Sequence, residues 1–242
     1  MAFELVCYLN FGYPTISDGI RDAELYISNG CKALQLDIPS RDPYLEHDFI
    51  KERMKSCLET EHDYEKYFEG IREIHRRYPD VALYFMLYEN TVKELGVKRI
   101  ADFCREVGIH YTSYVGNSSE IKHQLEKAGL GICCYVQYHL PDDEVKFAMS
   151  STGPVLYQAK SVGKTGHGCR TFSDGVRYLR NAGLEMSIYA SVGIKTADDL
   201  RMVRKSGADG AFVGSVLMNA LEDKTRFAEV MQSFSEAAKG EL

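Results

Sequence analysis

The sequence has no basic cluster: 29 Lys and Arg are set against 35 Asp and Glu, a net charge of −6 at pH 7. Nucleic acids and anionic membranes both require concentrated Lys and Arg, so neither is expected as a principal partner. No segment approaches the roughly 20 apolar residues that span a bilayer. Residues Met1 to Gly12 carry Glu4 and lack the basic start and cleavage site of a signal peptide, which points to the cytoplasm. The seven cysteines are odd in number and show no CxxC spacing, so they read as reduced thiols rather than zinc or redox pairs. His47, His110 and His167 have no partner set at metal-ligand spacing, and neither a metal nor a cofactor is expected. No Pro/Ser/Gly-rich stretch or long like-charge run marks a linker. One domain over residues 1–242 is therefore expected, acting on a small molecule.

Short apolar runs of strand length alternate with longer stretches of helical periodicity. The strands are expected at 4–9, 33–38, 82–87, 111–115, 132–137, 155–159, 187–189 and 210–213. Helices are expected at 16–28, 64–77, 97–107, 118–127, 142–149, 173–181, 197–205 and 226–238. Gly30, Gly108, Gly129, Gly183 and Gly207 each stand just before a strand, where Gly ends a helix in the left-handed conformation. Eight β/α units fit a (β/α)8 barrel, although a doubly wound sheet shares the alternation.

In a barrel, phosphate often sits beyond the last two strands at the start of a short extra helix. Here strand seven leads into Ser191-Val192-Gly193-Ile194, and strand eight into Gly214-Ser215-Val216. A third Gly-rich loop, from Ser161 through Gly163, Thr165 and Gly166 to Gly168, follows strand six. Glycines let backbone N–H groups approach an anion, and the helix dipole adds a favourable field. Each Gly pair alone reads equally well as a tight turn, but three such loops together favour a phosphate ligand.

Tyr8 through Pro14, Ala33 through Pro43, Met86 through Asn90, and Tyr157 through Gly166 form an ordered set of motifs that resembles the tryptophan synthase α chain family over nearly the full length. The resemblance implies a ribulose-phosphate-binding type of barrel that cleaves indole-3-glycerol phosphate. It places Gly166, Gly193, Gly214 and Ser215 at the phosphate, and Gly163, Thr165 and Tyr88 in or near the loops that meet substrate. It puts the family's strand-two carboxylate on Gln35, which cannot be a general base, and its second carboxylate on Glu46. Tyr157 matches a residue near the substrate. Val115-Gly116-Asn117 lacks the acid that the family presents to indole, and the chain begins almost at strand one, without the family's leading helix.

Ala33, Gln35 and Asp37 share one strand face, turned inward by the match. Asp37 stands where the family usually has Gly, and reads either as a replacement base or as a cap for a nearby loop N–H or a partner of Arg41. Glu46 and Asp48 flank His47 as a second acid–base cluster or as a solvated loop. Lys160 has the wrong strand parity for a Schiff base beside Tyr157. Three functions follow: a retro-aldol lyase, an altered α-like subunit that binds a phosphorylated ligand or activates a β-type chain, and a sugar-phosphate isomerase or epimerase.

Overall fold

The structure is a computed structural model that describes residues 3–43, 46–161 and 163–240. Its first elements are β1 (Glu4–Leu9), α1 (Ile16–Ser28), β2 (Ala33–Asp37), α2 (Asp48–Thr60), α3 (Tyr64–Arg77) and β3 (Ala82–Tyr88). Then come α4 (Glu89–Leu95), α5 (Val97–Glu106), β4 (Tyr111–Val115), α6 (Ser119–Lys127), β5 (Gly131–Ile132), β6 (Cys134–Val136) and α7 (Asp142–Ala148). The chain ends with β7 (Val155–Gln158), α8 (Phe172–Asn181), β8 (Ile188–Ser191), α9 (Ala197–Lys205), β9 (Gly210–Val213), α10 (Ser215–Met218) and α11 (Lys224–Lys239). They form two compact units, one of residues 8–132 and one of residues 1–7 with 133–242.

In the unit of residues 8–132, β2, β3, β4 and β5 pair in parallel in that order. Every residue of β2 is buried, as expected of a parallel strand covered on both faces. The register sets Gln35 opposite Tyr84 and Asp37 opposite Met86, so the polar residues of β2 share a face with those of β3. Helix α3 buries Tyr64, Tyr67, Phe68, Ile71 and Ile74, the three-and-four spacing of an amphipathic helix. Phe68 stacks on Phe103 of α5 with centroids 4.2 Å apart, and burying one such ring contributes about 1.5–3 kcal/mol.

In the other unit, residues 4–7 of β1 pair with β9, followed by β8, β7 and β6, again all parallel. Helices α8 and α9 each open on a capping box, Thr171 with Asp174 and Thr196 with Asp199. Helix α11 stops at Gly240, whose φ of 84° few other residues adopt.

The strand expected at 132–137 is two strands. The Gly131 amide donates to the His110 carbonyl and the Cys134 amide to Pro154, so different neighbours claim the two halves, on either side of Cys133. Helix α2 was not expected because its apolar positions, Ile50, Met54 and Cys57, are sparse among charges, yet all three are buried. Among the described residues no helix is long and apolar enough to cross a membrane, and no three His, Cys, Asp or Glu gather to hold a metal ion.

Candidate active site and phosphate loops

The end of β1 and the turn after it converge on the end of β2. Asp37 is wholly buried there. The Tyr8 hydroxyl donates to its Oδ2 at 2.6 Å, and Asn10 Nδ2 donates to both oxygens at 3.0 and 3.1 Å. The Phe11 amide donates to Oδ1 at 2.9 Å, so Asp37 does cap a loop N–H, while Arg41 pairs with Glu94 instead. Burial nevertheless lifts the Asp37 pKa to about 6, against the pull of the Tyr8, Asn10 and Phe11 donors. Desolvation penalises the charged form more than three donors stabilise it. The group is poised to hold or release a proton near neutral pH.

Glu46 is half-buried in the loop before α2, its amide donating to the Pro43 carbonyl at 3.1 Å. The Tyr88 hydroxyl, from the end of β3, donates to Glu46 Oε1 at 3.1 Å. Burial raises the Glu46 pKa, while Tyr88, His47 and Lys51 lower it. The charges of Asp37 and Glu46 both act on the Tyr88 phenol, so the two carboxylates belong to one electrostatic cluster. Burial first, and then Asp37 beside them, hold both phenols far above their ordinary range. Tyr44 and Leu45, next to Glu46, lie outside the described residues.

Gln35 sits deeper on the same strand, buried, its Nε2 donating to Ser113 Oγ of β4 at 2.9 Å. The amide thus has a fixed partner at the position the match gives to a carboxylate. The segment after β4 does meet an acid, contributed from α4. Glu89 accepts from Tyr114 Oη at 3.1 Å and from the amides of Asn117 at 2.6 Å and Ser118 at 2.9 Å. Lys93 first, with the Ser118 amide next, lowers its pKa to about 2, so it stays ionised. Sequence spacing missed it because the acid lies 28 positions before Asn117. Tyr8 and Asn10 were missed as site residues too, although both stand in the first matched motif with the parity that faces Asp37.

The glycine loops belong to the other unit. Val192 and Gly193 follow β8 with φ of 54° and 99°, and the Ala159 amide donates to the Val192 carbonyl at 3.2 Å. That bond ties the loop after β7 to the loop after β8. A Cβ on Gly193 would lie 3.4 Å from Lys160 Cγ, so the lysine stem runs beside the glycine, with Nζ 2.7 Å from Asp199 Oδ1. Gly166 is pressed against the main chain after β6: a Cβ there would stand 1.8 Å from the His139 carbonyl oxygen. Gly163 and Thr165 are exposed in the same loop, and Val162 lies outside the described residues. Gly214 is the N-cap of α10, and Ser215 is its exposed first residue.

Tyr157 is wholly buried and turned toward α8. Its hydroxyl donates to the Tyr138 carbonyl at 2.9 Å, its ring stacks on Phe172, and a Cβ on Gly175 would lie 2.0 Å from its oxygen. The hydroxyl expected to orient a substrate oxygen is committed to the backbone just before His139, against which Gly166 rests.

The family model described as "Tryptophan synthase alpha chain" matches residues 2–242. The tryptophan synthase alpha chain of Leptospira interrogans is 24% identical over 225 residues, 89% of this chain and 84% of that protein. The Methanosarcina acetivorans alpha chain is 23% identical over 239 residues, 97% of this chain and 87% of the relative. Among solved structures, tryptophan synthase from M. tuberculosis superposes with a TM-score of 0.82 at 18% identity, covering 98% of this chain and 93% of that one. The likeness carries the fold class read from the sequence, a (β/α)8 barrel.

Proposed function

Since the chain belongs to the tryptophan synthase alpha chain family, we propose that it is a carbon–carbon lyase acting on indole-3-glycerol phosphate or a related phosphorylated substrate. Retro-aldol cleavage releases glyceraldehyde 3-phosphate. The observation that carries this reading is the pair of carboxylates, Asp37 and Glu46, both raised in pKa and both bonded to tyrosines. They supply proton chemistry that Gln35 cannot. Glu46, the partly exposed member, exchanges the proton with substrate, and Asp37 sets its protonation from behind.

In this reading Gly166, Gly193, Gly214 and Ser215 hold the phosphate with backbone N–H groups and one hydroxyl. Gly163 and Thr165 belong to the loop that closes over substrate, and Tyr157 supports it through the Tyr138 turn. The chain works as one barrel domain over residues 1–242, in the cytoplasm, alongside a β-type chain, without a cofactor or metal.

A second reading has one observation in its favour. The Gln35 amide is locked to Ser113, which suits a subunit that binds a phosphorylated ligand or activates a partner without turning substrate over. Product analysis separates the two. The purified chain is incubated with indole-3-glycerol phosphate, alone and with a tryptophan synthase β chain, beside a Gly214→Asp control. Release of indole and glyceraldehyde 3-phosphate above the control supports the lyase; phosphate binding without release supports the second reading.

A further inference from the structure

The loops after β7 and β8 run side by side, and Lys160 lies along their seam. The Ala159 amide donates to the Val192 carbonyl at 3.2 Å. The stem of Lys160 then follows Gly193, its Cγ and Cβ 3.4 and 3.5 Å from the place a Cβ on that glycine would take. Beyond the glycine, Lys160 Nζ reaches Asp199 Oδ1, in the first turn of α9, at 2.7 Å. Asp199 is engaged through its other oxygen too. Its Oδ2 accepts from the Lys195 amide at 2.9 Å and the Thr196 amide at 3.0 Å, on the stretch that leads from Gly193 into α9. One carboxylate therefore gathers the far end of the loop after β8 with one oxygen and a side chain from the loop after β7 with the other.

The turn enclosed by these contacts is strained. Val192 stands at φ 54°, a conformation that a β-branched residue keeps only where its surroundings impose it. Its side chain is 55% exposed, so burial of Val192 itself does not impose it. The bond from Ala159 to the Val192 carbonyl holds one side of the turn, and the Lys160–Asp199 pair, one residue further along, closes the other. The pair is part-sheltered, with the Asp199 side chain 15% exposed and that of Lys160 49%.

We propose that Lys160 is a positioning residue for the phosphate loops: with Asp199 it forms a cross-brace that holds the Val192–Gly193 turn against the loop after β7. The brace deepens the phosphate reading above and rests on it for its purpose, since Gly193 is among the residues assigned there to the phosphoryl group. Lys160 acts through Gly193, and its ammonium stays on Asp199 whether or not an anion is bound. The amine that strand parity set apart from Schiff-base chemistry has this use instead.

The test is hydrogen exchange of the full chain, read at the amides of Ala159, Lys195 and Thr196, with calorimetric titration of inorganic phosphate on the same samples. Lys160→Met keeps the stem beside Gly193 and removes the charge. Exchange at the three amides should rise about two- to fivefold, the weight of a partly exposed ion pair. The Val155 amide, which donates to the Ser187 carbonyl at the other end of β7, should be unchanged. Lys160→Arg should restore the slow exchange. In an Asp199→Asn background, where the amide oxygen still accepts from Lys195 and Thr196, Lys160→Met should add nothing further. Phosphate affinity should fall by no more than exchange rises, because a brace changes only the share of molecules with both loops in place. Unchanged exchange in Lys160→Met, or a further rise in the Asp199→Asn background, overturns the brace. A loss of phosphate affinity larger than the rise in exchange means that the ammonium meets the anion itself, which overturns it as well. A chain that binds no phosphate removes the phosphate reading, and the exchange results still decide the brace.

Discussion

The carboxylate cluster and the glycine loops differ in what they are made of. The first is built from side chains: Asp37 and Glu46 with Tyr8, Asn10 and Tyr88, mostly buried and joined by bonds of 2.6–3.1 Å. The second is built from main chain: Gly166 against a carbonyl, Val192 and Gly193 at positive φ, and Gly214 at the start of α10. Side-chain clusters tune proton affinity and respond to pH, whereas main-chain cradles hold charge and respond to shape. Substitutions in the two places should therefore fail in different ways.

Among the binding and stability readouts, the largest effect is expected at Gly166. A methyl there stands 1.8 Å from the His139 carbonyl oxygen, so Gly166→Ala forces the loop away. Overpacking of this kind costs about 1–3 kcal/mol, a loss of roughly five- to 150-fold in affinity for inorganic phosphate by calorimetry. The Asp37 titration is expected to be unmoved, and a shift in it would break the division drawn above.

Asp37 should give the pH response. Its folded pKa of about 6 lies above the ordinary 3.8, so between these values the folded chain keeps a proton that the unfolded chain has released. Stability contributed by the protonated group is present below the lower value and is lost as pH rises through the upper one. Denaturant unfolding at pH 4 and pH 7 should differ by on the order of 1–3 kcal/mol from this source, with the lower stability at pH 7. Asp37→Asn should flatten that slope. A slope that persists unchanged assigns it to other groups.

A sharper test of main-chain packing is Gly175→Ala. In a helix the change ordinarily gains up to about 1 kcal/mol, but here the new Cβ falls 2.0 Å from the Tyr157 hydroxyl. Thermal unfolding should show a net loss of about 1–2 kcal/mol, only partly relieved in a Tyr157→Phe background, where the ring carbons 2.5 and 2.7 Å from the new Cβ remain. The smallest effect is expected from Val192→Gly. A β-branched residue at φ 54° carries strain of roughly 1–3 kcal/mol, partly offset by the greater freedom of an unfolded glycine. A gain of about 1 kcal/mol in denaturant unfolding is expected, and a loss would mean that Val192, 55% exposed, makes a contact worth more than its strain.

The same division explains what could be read from the sequence. Strands at 4–9, 111–115 and 210–213 fall where their apolar runs placed them, and helices at 16–28, 64–77 and 197–205 match to the residue. The glycine loops were legible because main-chain turns at strand ends leave a local mark in the sequence. The carboxylate cluster was half legible: Asp37 and Glu46 stood out as acids in the matched segment, but Tyr8 reaches Asp37 across 29 positions and Tyr88 reaches Glu46 across 42. Spacing along a chain carries no sign of such meetings. The same holds for Glu89, which reaches the segment after β4 from the helix before it. Tyr157 shows the converse, since a matched position told nothing of the direction its hydroxyl would take once Gly175 opened a space beneath α8.

The central claim is that carboxylates outside the Gln35 position carry the proton chemistry of cleavage. It is tested most directly by turnover of indole-3-glycerol phosphate in Glu46→Gln and Asp37→Asn, with inorganic phosphate affinity measured on the same samples. The expected result is a fall in kcat of about 10²–10⁴-fold for Glu46→Gln, the usual weight of a general acid–base group, with phosphate affinity unchanged. Turnover that survives Glu46→Gln undiminished would contradict the account.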